Sequence, residues 1–216
     1  MSASPELSRQ IAASLLEIGA VTLRPSDPFT LTSGLKSPIY CDNRLTISYP
    51  HIREQIAEGF ASIIRDRFPD TEVIAGVATG GIPHAAYVSQ KLDLPMIYVR
   101  DKAKGHGKEN VIEGVLNPGS KVVLIEDLFS TGGSSIKAAL AVRTAGSKVS
   151  SVIAIFTYQL QQTSDALAAD HIPWETLSNY TALIEVAEER GFIKQEEVAI
   201  LHSWRQNPAA FGKTKV

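Results

Sequence analysis

The chain has 216 residues, 44% hydrophobic and 20% charged, with a formal net charge of −2. That is one domain with a sizeable core, and the near-neutral balance excludes the dense Lys/Arg footprint of a nucleic-acid binder, though a small anionic ligand needs only a local basic cluster. Cys41 is the one cysteine, which excludes an internal disulfide framework and a thiolate zinc site, and the five histidines show no paired metal-ligand spacing.

In chain order, Met1 to Gln10 is polar with no apolar signal region, and no later run approaches the length of a membrane span. A cytoplasmic protein without membrane association is expected. Ser4-Pro5 followed by Leu7, Ile11, Leu15 and Ile18 predicts a capped amphipathic helix that stops at Gly19. Phe29 to Ile47 mixes Gly, Pro, Ser and Thr with short apolar pairs and reads as strands and turns. Ile52, Ile56, Phe60 and Ile63 predict a second helix. A repeating pattern then starts: strand 73–77, helix 82–92, strand 96–100, strand 121–126, a helix from Ser134 to Thr144 and strand 149–156. Helices are predicted over 161–170, 181–189 and 196–206. Strands alternating with helices imply an α/β fold with a parallel sheet covered on both faces. Residues 1–45 lie outside the alternation and are expected to form a small cap on a single domain spanning residues 1–216.

The most informative segment is Val122-Val123-Leu124-Ile125-Glu126-Asp127-Leu128-Phe129-Ser130-Thr131-Gly132-Gly133-Ser134. An apolar strand runs into two acids, and a hydroxyl- and glycine-rich turn leads into a helix. Ser130, Thr131 and Ser134 offer hydroxyl donors, and Gly132 and Gly133 allow close backbone approach. The helix start adds a positive dipole end, so the turn suits a phosphate monoester. Carboxylates repel phosphate, so Glu126 and Asp127 must face something else: the vicinal hydroxyls of a ribose, or a hydrated Mg²⁺. Both acids reach one ligand only if the strand has ended at Glu126, because successive strand residues point to opposite faces. An ordinary capped strand–turn–helix connection explains the glycines but not two acids at the end of a buried strand.

The segment closely resembles the phosphoribosyl-diphosphate signature of type I phosphoribosyltransferases. The resemblance implies that Glu126 and Asp127 contact the ribose hydroxyls, while the turn from Leu128 and Phe129 through Ser134 holds the 5-phosphate. Gly76-Val77-Ala78-Thr79-Gly80-Gly81 begins like a P-loop, but Ile82-Pro83 stands where Lys-Ser/Thr is required. Thr79 and Gly80 match the family's pyrophosphate loop, and equally fit a glycine turn before a helix with Pro83 in its first turn.

Arg100-Asp101-Lys102-Ala103-Lys104-Gly105-His106-Gly107-Lys108 reads by composition as a solvated charged loop. It is similar to the basic catalytic loop of the orotate phosphoribosyltransferases, and by that match Arg100, Lys104 and His106 grip pyrophosphate. Asp101 stands where many members carry lysine, with Lys102 one place further on. Ser33-Gly34-Leu35-Lys36-Ser37-Pro38 resembles the same family's base-binding segment. There Lys36 is the implied charge partner of the orotate carboxylate, Tyr40 a stacking face and Ser130 a contact from the other side. Some members carry an orotate-binding arginine after the last sheet strand, where this chain reads Phe156-Thr157-Tyr158-Gln159. His51, His84, His171 and His202 lie outside all these motifs and read as structural or surface residues.

The resemblance implies transfer of a phosphoribosyl group from phosphoribosyl diphosphate to orotate, giving orotidine 5'-phosphate and pyrophosphate. It further implies Mg²⁺ held through substrate and water rather than by direct protein ligands, and a homodimer with a shared active site. A phosphoribosyltransferase for a purine base and a non-catalytic sensor of phosphoribosyl diphosphate are the alternatives.

Overall fold

A computed structural model describes residues 3–30, 34–101 and 111–211. Helix α1 (Pro5–Glu17) is started by Ser4, whose Oγ accepts from the Leu7 amide at 3.3 Å, and by Pro5, which has no amide to satisfy. Four short strands follow: β1 (Val21–Leu23), β2 (Phe29–Thr30), β3 (Lys36–Ser37) and β4 (Ile39–Cys41). They pair antiparallel as β1 with β4 and β2 with β3. A 3-10 helix (Asn43–Ser48) leads into α2 (Pro50–Arg67), which buries Ile52, Ile56, Phe60 and Ile63 on one face.

The alternating part comprises β5 (Val73–Val77), α3 (Gly81–Leu92), β6 (Met96–Val99), β7 (Ile112–Glu113), β8 (Lys121–Phe129) and α4 (Gly133–Thr144). It continues through β9 (Lys148–Thr157), α5 (Gln161–Ala169), β10 (Trp174–Asn179), α6 (Tyr180–Glu189) and α7 (Gln195–Gln206). The sheet order is β10-β9-β8-β5-β6-β7, parallel except for the edge strand β7. Alternate strand residues serve two cores. Val123, Ile125 and Ile153 pack with α1, α2, α3 and α6, whereas Val122, Leu124 and Val152 pack with α4 and α5.

Three expectations change. Helix α1, placed by the sequence with the cap, buries Ile11 and Leu15 in the same core as Ile74 and Val123, so the part outside the main layers starts after it. Strand β10 is absent from the sequence-based pattern because Glu175, Thr176 and Ser178 look polar. They are buried, with Glu175 meeting Arg67 at 2.6 Å and Ser178 Oγ donating to the Ser8 carbonyl at 2.7 Å. Strand β8 does not stop at Glu126 but runs to Phe129.

Candidate active site

Because β8 continues, its two acids turn to different neighbours. Glu126, 3% exposed, faces the start of α4 and accepts from Ser134 Oγ at 2.8 Å, Ser135 Oγ at 3.0 Å and the Asp127 amide at 3.0 Å. Burial, followed by the neighbouring Asp127 carboxyl, pushes Glu126 up to about 8 against these donors. Asp127 is half-buried and lies over the β5–α3 loop, where a Cβ built on Gly80 would fall 2.2 Å from Asp127 Oδ2. Its carbonyl accepts from Asn43 Nδ2 at 2.6 Å, which ties the 3-10 helix to the strand end. The expected shared orientation of the acids is thus not found: Glu126 braces the turn, and Asp127 faces the glycine loop.

The turn after β8 leaves donors open. Gly132 has φ +81°, a conformation that favours glycine, and no side chain caps α4. Ser130, Thr131, Gly133 and Ser134 are exposed, while the Thr163 hydroxyl fixes the loop by donating to the Ser130 carbonyl. Free amides at a helix start, beside hydroxyls, form an anion cradle. Gly81 is required for a second reason: its Cβ would lie 2.1 Å from the Ile125 carbonyl oxygen, so α3 starts hard against β8. The Ala78–Thr79 peptide preceding it is cis. Arg100, at the end of β6, pairs with Glu113 at 3.3 Å and lines a small cleft with Ala78 and Ser134.

Beside the turn lies a cavity of about 660 Å³. Lys36 and Tyr40 line it from the amino-terminal strands, Ser130 and Thr131 from the turn, Tyr158 from the end of β9, and Trp204 and Arg205 from α7. Lys36 Nζ donates to Thr30 Oγ1 at 2.6 Å, and Tyr40, 47% exposed, stands with its ring 5.7 Å from that of Phe29. Cys41 also lines the cavity, and burial with the nearby Asp127 pushes its thiol well up, which favours the thiol over the thiolate. His84 is buried under Asp127, with Nε2 3.3 Å from Thr46 Oγ1, and burial lowers it to about 4.

The fold therefore gathers Lys36, Tyr40 and Ser130 around one cavity, and sets Thr79, Gly80, Arg100, Asp127 and Ser134 along the adjoining strand ends. Lys102, Lys104 and His106 lie outside the described residues. Tyr158, Trp204 and Arg205 had no place among the sequence-derived site residues. Nothing local marks Trp204 and Arg205, since α7 reads as an ordinary amphipathic helix, whereas Tyr158 lies in the stretch where some family members carry an orotate-binding arginine.

An anion cradle at a strand end, an acid facing the neighbouring glycine loop and an adjoining cavity with aromatic walls are the arrangement expected of the phosphoribosyltransferase class. Comparison with known proteins agrees: the phosphoribosyl transferase domain family matches residues 47–189. An orotate phosphoribosyltransferase of Halalkalibacterium halodurans is 57% identical over 204 residues, covering 94% of this chain and 97% of that protein. Among solved structures, the orotate phosphoribosyltransferase of Aeropyrum pernix superposes with a TM-score of 0.73 at 26% identity, over 85% of this chain and 99% of its own. The UMP synthase of Leishmania donovani gives 0.78 at 28% identity, over 92% of this chain and 42% of that longer one. The chain belongs to the orotate phosphoribosyltransferase family.

Proposed function

We propose that this protein transfers the 5-phosphoribosyl group of phosphoribosyl diphosphate to orotate, releasing pyrophosphate and forming orotidine 5'-phosphate. The observation that carries the reading is continuity. Ser130 and Thr131 belong at once to the anion cradle before α4 and to the wall of the cavity that holds Lys36 and Tyr40. A ribose phosphate seated on the turn would present its anomeric carbon to a planar base in that cavity. The ring nitrogen of orotate gives up its proton to solvent or to a pyrophosphate oxygen and forms the new bond to that carbon as the bond to the diphosphate oxygen breaks, the electron pair leaving with pyrophosphate. Asp127 would orient the ribose through its hydroxyls, and Thr79, Gly80 and Arg100, with Lys104 and His106, would hold the departing diphosphate.

Magnesium belongs to the same proposal. Among the described residues no group of three or more His, Cys, Asp or Glu could hold a metal ion. The cation would arrive on the diphosphate oxygens and water, where it would neutralise charge on the leaving group. A homodimer whose basic loops serve neighbouring sites, and a cytoplasmic location, complete the reading. Among the described residues no helix is long and apolar enough to cross a membrane. Turnover of phosphoribosyl diphosphate and Mg²⁺ with orotate, uracil, adenine and hypoxanthine in parallel tests it. Orotate should exceed the others by several kcal/mol in kcat/KM, because its carboxylate satisfies donors that uracil leaves unpaired. Comparable values for uracil or a purine would overturn the base assignment.

A further inference from the structure

We infer that Arg205, on the carboxy-terminal helix α7, is the cation that receives the carboxylate of the base, and so sets selectivity for an acidic pyrimidine. The inference deepens the proposed function and rests on it. The first observation is electrostatic. Among the described residues, two side chains of fixed positive charge, Lys36 and Arg205, line the cavity of about 660 Å³, and no aspartate or glutamate does. Such a cavity suits a small anion with an apolar face, and the rings of Tyr40, Tyr158 and Trp204 supply the apolar part.

The second observation is how differently the two cations are held. Lys36 is exposed, with a single donated bond to Thr30 Oγ1. Arg205 is half-buried and fixed from three sides. Its Nη1 donates to Gln159 Oε1 at 3.0 Å and to Thr181 Oγ1 at 2.8 Å, and its guanidinium carbon stands 5.8 Å from the centre of the Tyr180 ring. Gln159 Oε1 is held in turn by the Thr181 amide at 3.0 Å and hydroxyl at 2.7 Å. These contacts bring Arg205 to the carboxyl end of β9, although it lies 46 residues from Gln159 in sequence. Both hydrogen bonds use one nitrogen, Nη1. Among the described residues Nε and Nη2 have no hydrogen-bond partner and the guanidinium has no carboxylate partner. A planar fork already oriented, with two nitrogens to spare, matches the two oxygens of a carboxylate better than a flexible ammonium does.

The third observation is position in the family. The shared phosphoribosyl transferase domain matches residues 47–189, whereas Lys36 and Arg205 lie on either side of it. The phosphoribosyl machinery thus falls inside the common stretch, and both cations of the base cavity fall outside it.

The test compares Arg205→Ala, Arg205→Lys and the unaltered enzyme. The readouts are kcat, the KM values for orotate and phosphoribosyl diphosphate, and inhibition by orotamide, which carries a neutral amide in place of the carboxylate. Arg205→Ala should raise the orotate KM about ten- to a hundredfold, the loss expected for a hydrogen bond between charged groups. The KM for phosphoribosyl diphosphate and the orotamide inhibition constant should stay within about twofold, and Arg205→Lys should recover part of the loss. If the orotate KM stays unchanged, or orotate and orotamide weaken equally, Arg205 only staples α7 to the sheet and the inference falls. If the unaltered enzyme fails to turn over orotate at all, the proposed function falls instead.

Discussion

Glu126 sits at the junction of the strand and the phosphate turn, and its ionisation carries a stability signature. Its ordinary value is 4.5 and burial raises it to about 8 in the folded chain. Between those values the folded state keeps a proton that the unfolded state has lost, so stability falls as pH rises from 4.5 to 8. Glu126→Gln cannot ionise and should flatten that slope, which amounts to about 1.4 kcal/mol per pH unit at its steepest. Thermal unfolding of both proteins across this range checks it, and parallel curves would show that Glu126 is not held protonated. Gly80 gives a second residue-scale expectation. Its φ of −68° suits any residue, so alanine strains no backbone, but the new Cβ would meet Asp127 Oδ2 at 2.2 Å. Gly80→Ala should push Asp127 aside and lower kcat/KM about a hundredfold, the scale of an ångström-sized misplacement. Steady-state kinetics alongside circular dichroism would separate that loss from misfolding.

Helix α7 is the element whose role is set by packing. Trp204, 4% exposed, meets the rings of Tyr158 at 5.6 Å and Tyr180 at 5.4 Å, and Tyr180 Oη donates to the Leu201 carbonyl at 3.0 Å. This aromatic cluster fixes α7 on the end of the sheet and with it one wall of the base cavity. Trp204→Ala should cost about 3–5 kcal/mol of stability. Denaturant unfolding measures that cost, and orotate binding should weaken more than phosphoribosyl-diphosphate binding, because the cradle before α4 is fixed by Thr163 of α5, whereas α7 supplies a wall of the cavity. Equal weakening of both substrates would place α7 in the general scaffold and not in the base site.

At the scale of the whole molecule, the proposed sharing of sites makes a quantitative prediction. Lys104→Ala and Asp127→Asn homodimers should each be nearly inactive. Random remixing makes about half the dimers mixed, each with one intact site in two, so about a quarter of the unaltered activity should return. If each loop served its own subunit, every site would keep one defect and no activity would reappear after subunit exchange had been verified by mass.

Sequence alone determined the parallel α/β core and the phosphate turn, because both are local. A strand buried on both faces must be a short apolar run such as Val73–Val77, and the glycines and hydroxyls of 130–134 act through neighbours in the chain. The same locality made the motif resemblance, and hence the family, legible. Tertiary structure decided what depends on distant partners. Strand β10 is a strand because Arg67 and Ser8, more than a hundred residues away, satisfy its buried Glu175 and Ser178. The direction of Glu126 followed from β8 continuing three residues beyond it, where Phe129 finds an apolar site against Trp174. Arg205 entered the base cavity only because Trp204 is buried against Tyr158 and Tyr180, contacts that no spacing along α7 encodes. Local periodicity specifies which face of an element is apolar; the shape of the opposing surfaces decides what that face brings with it.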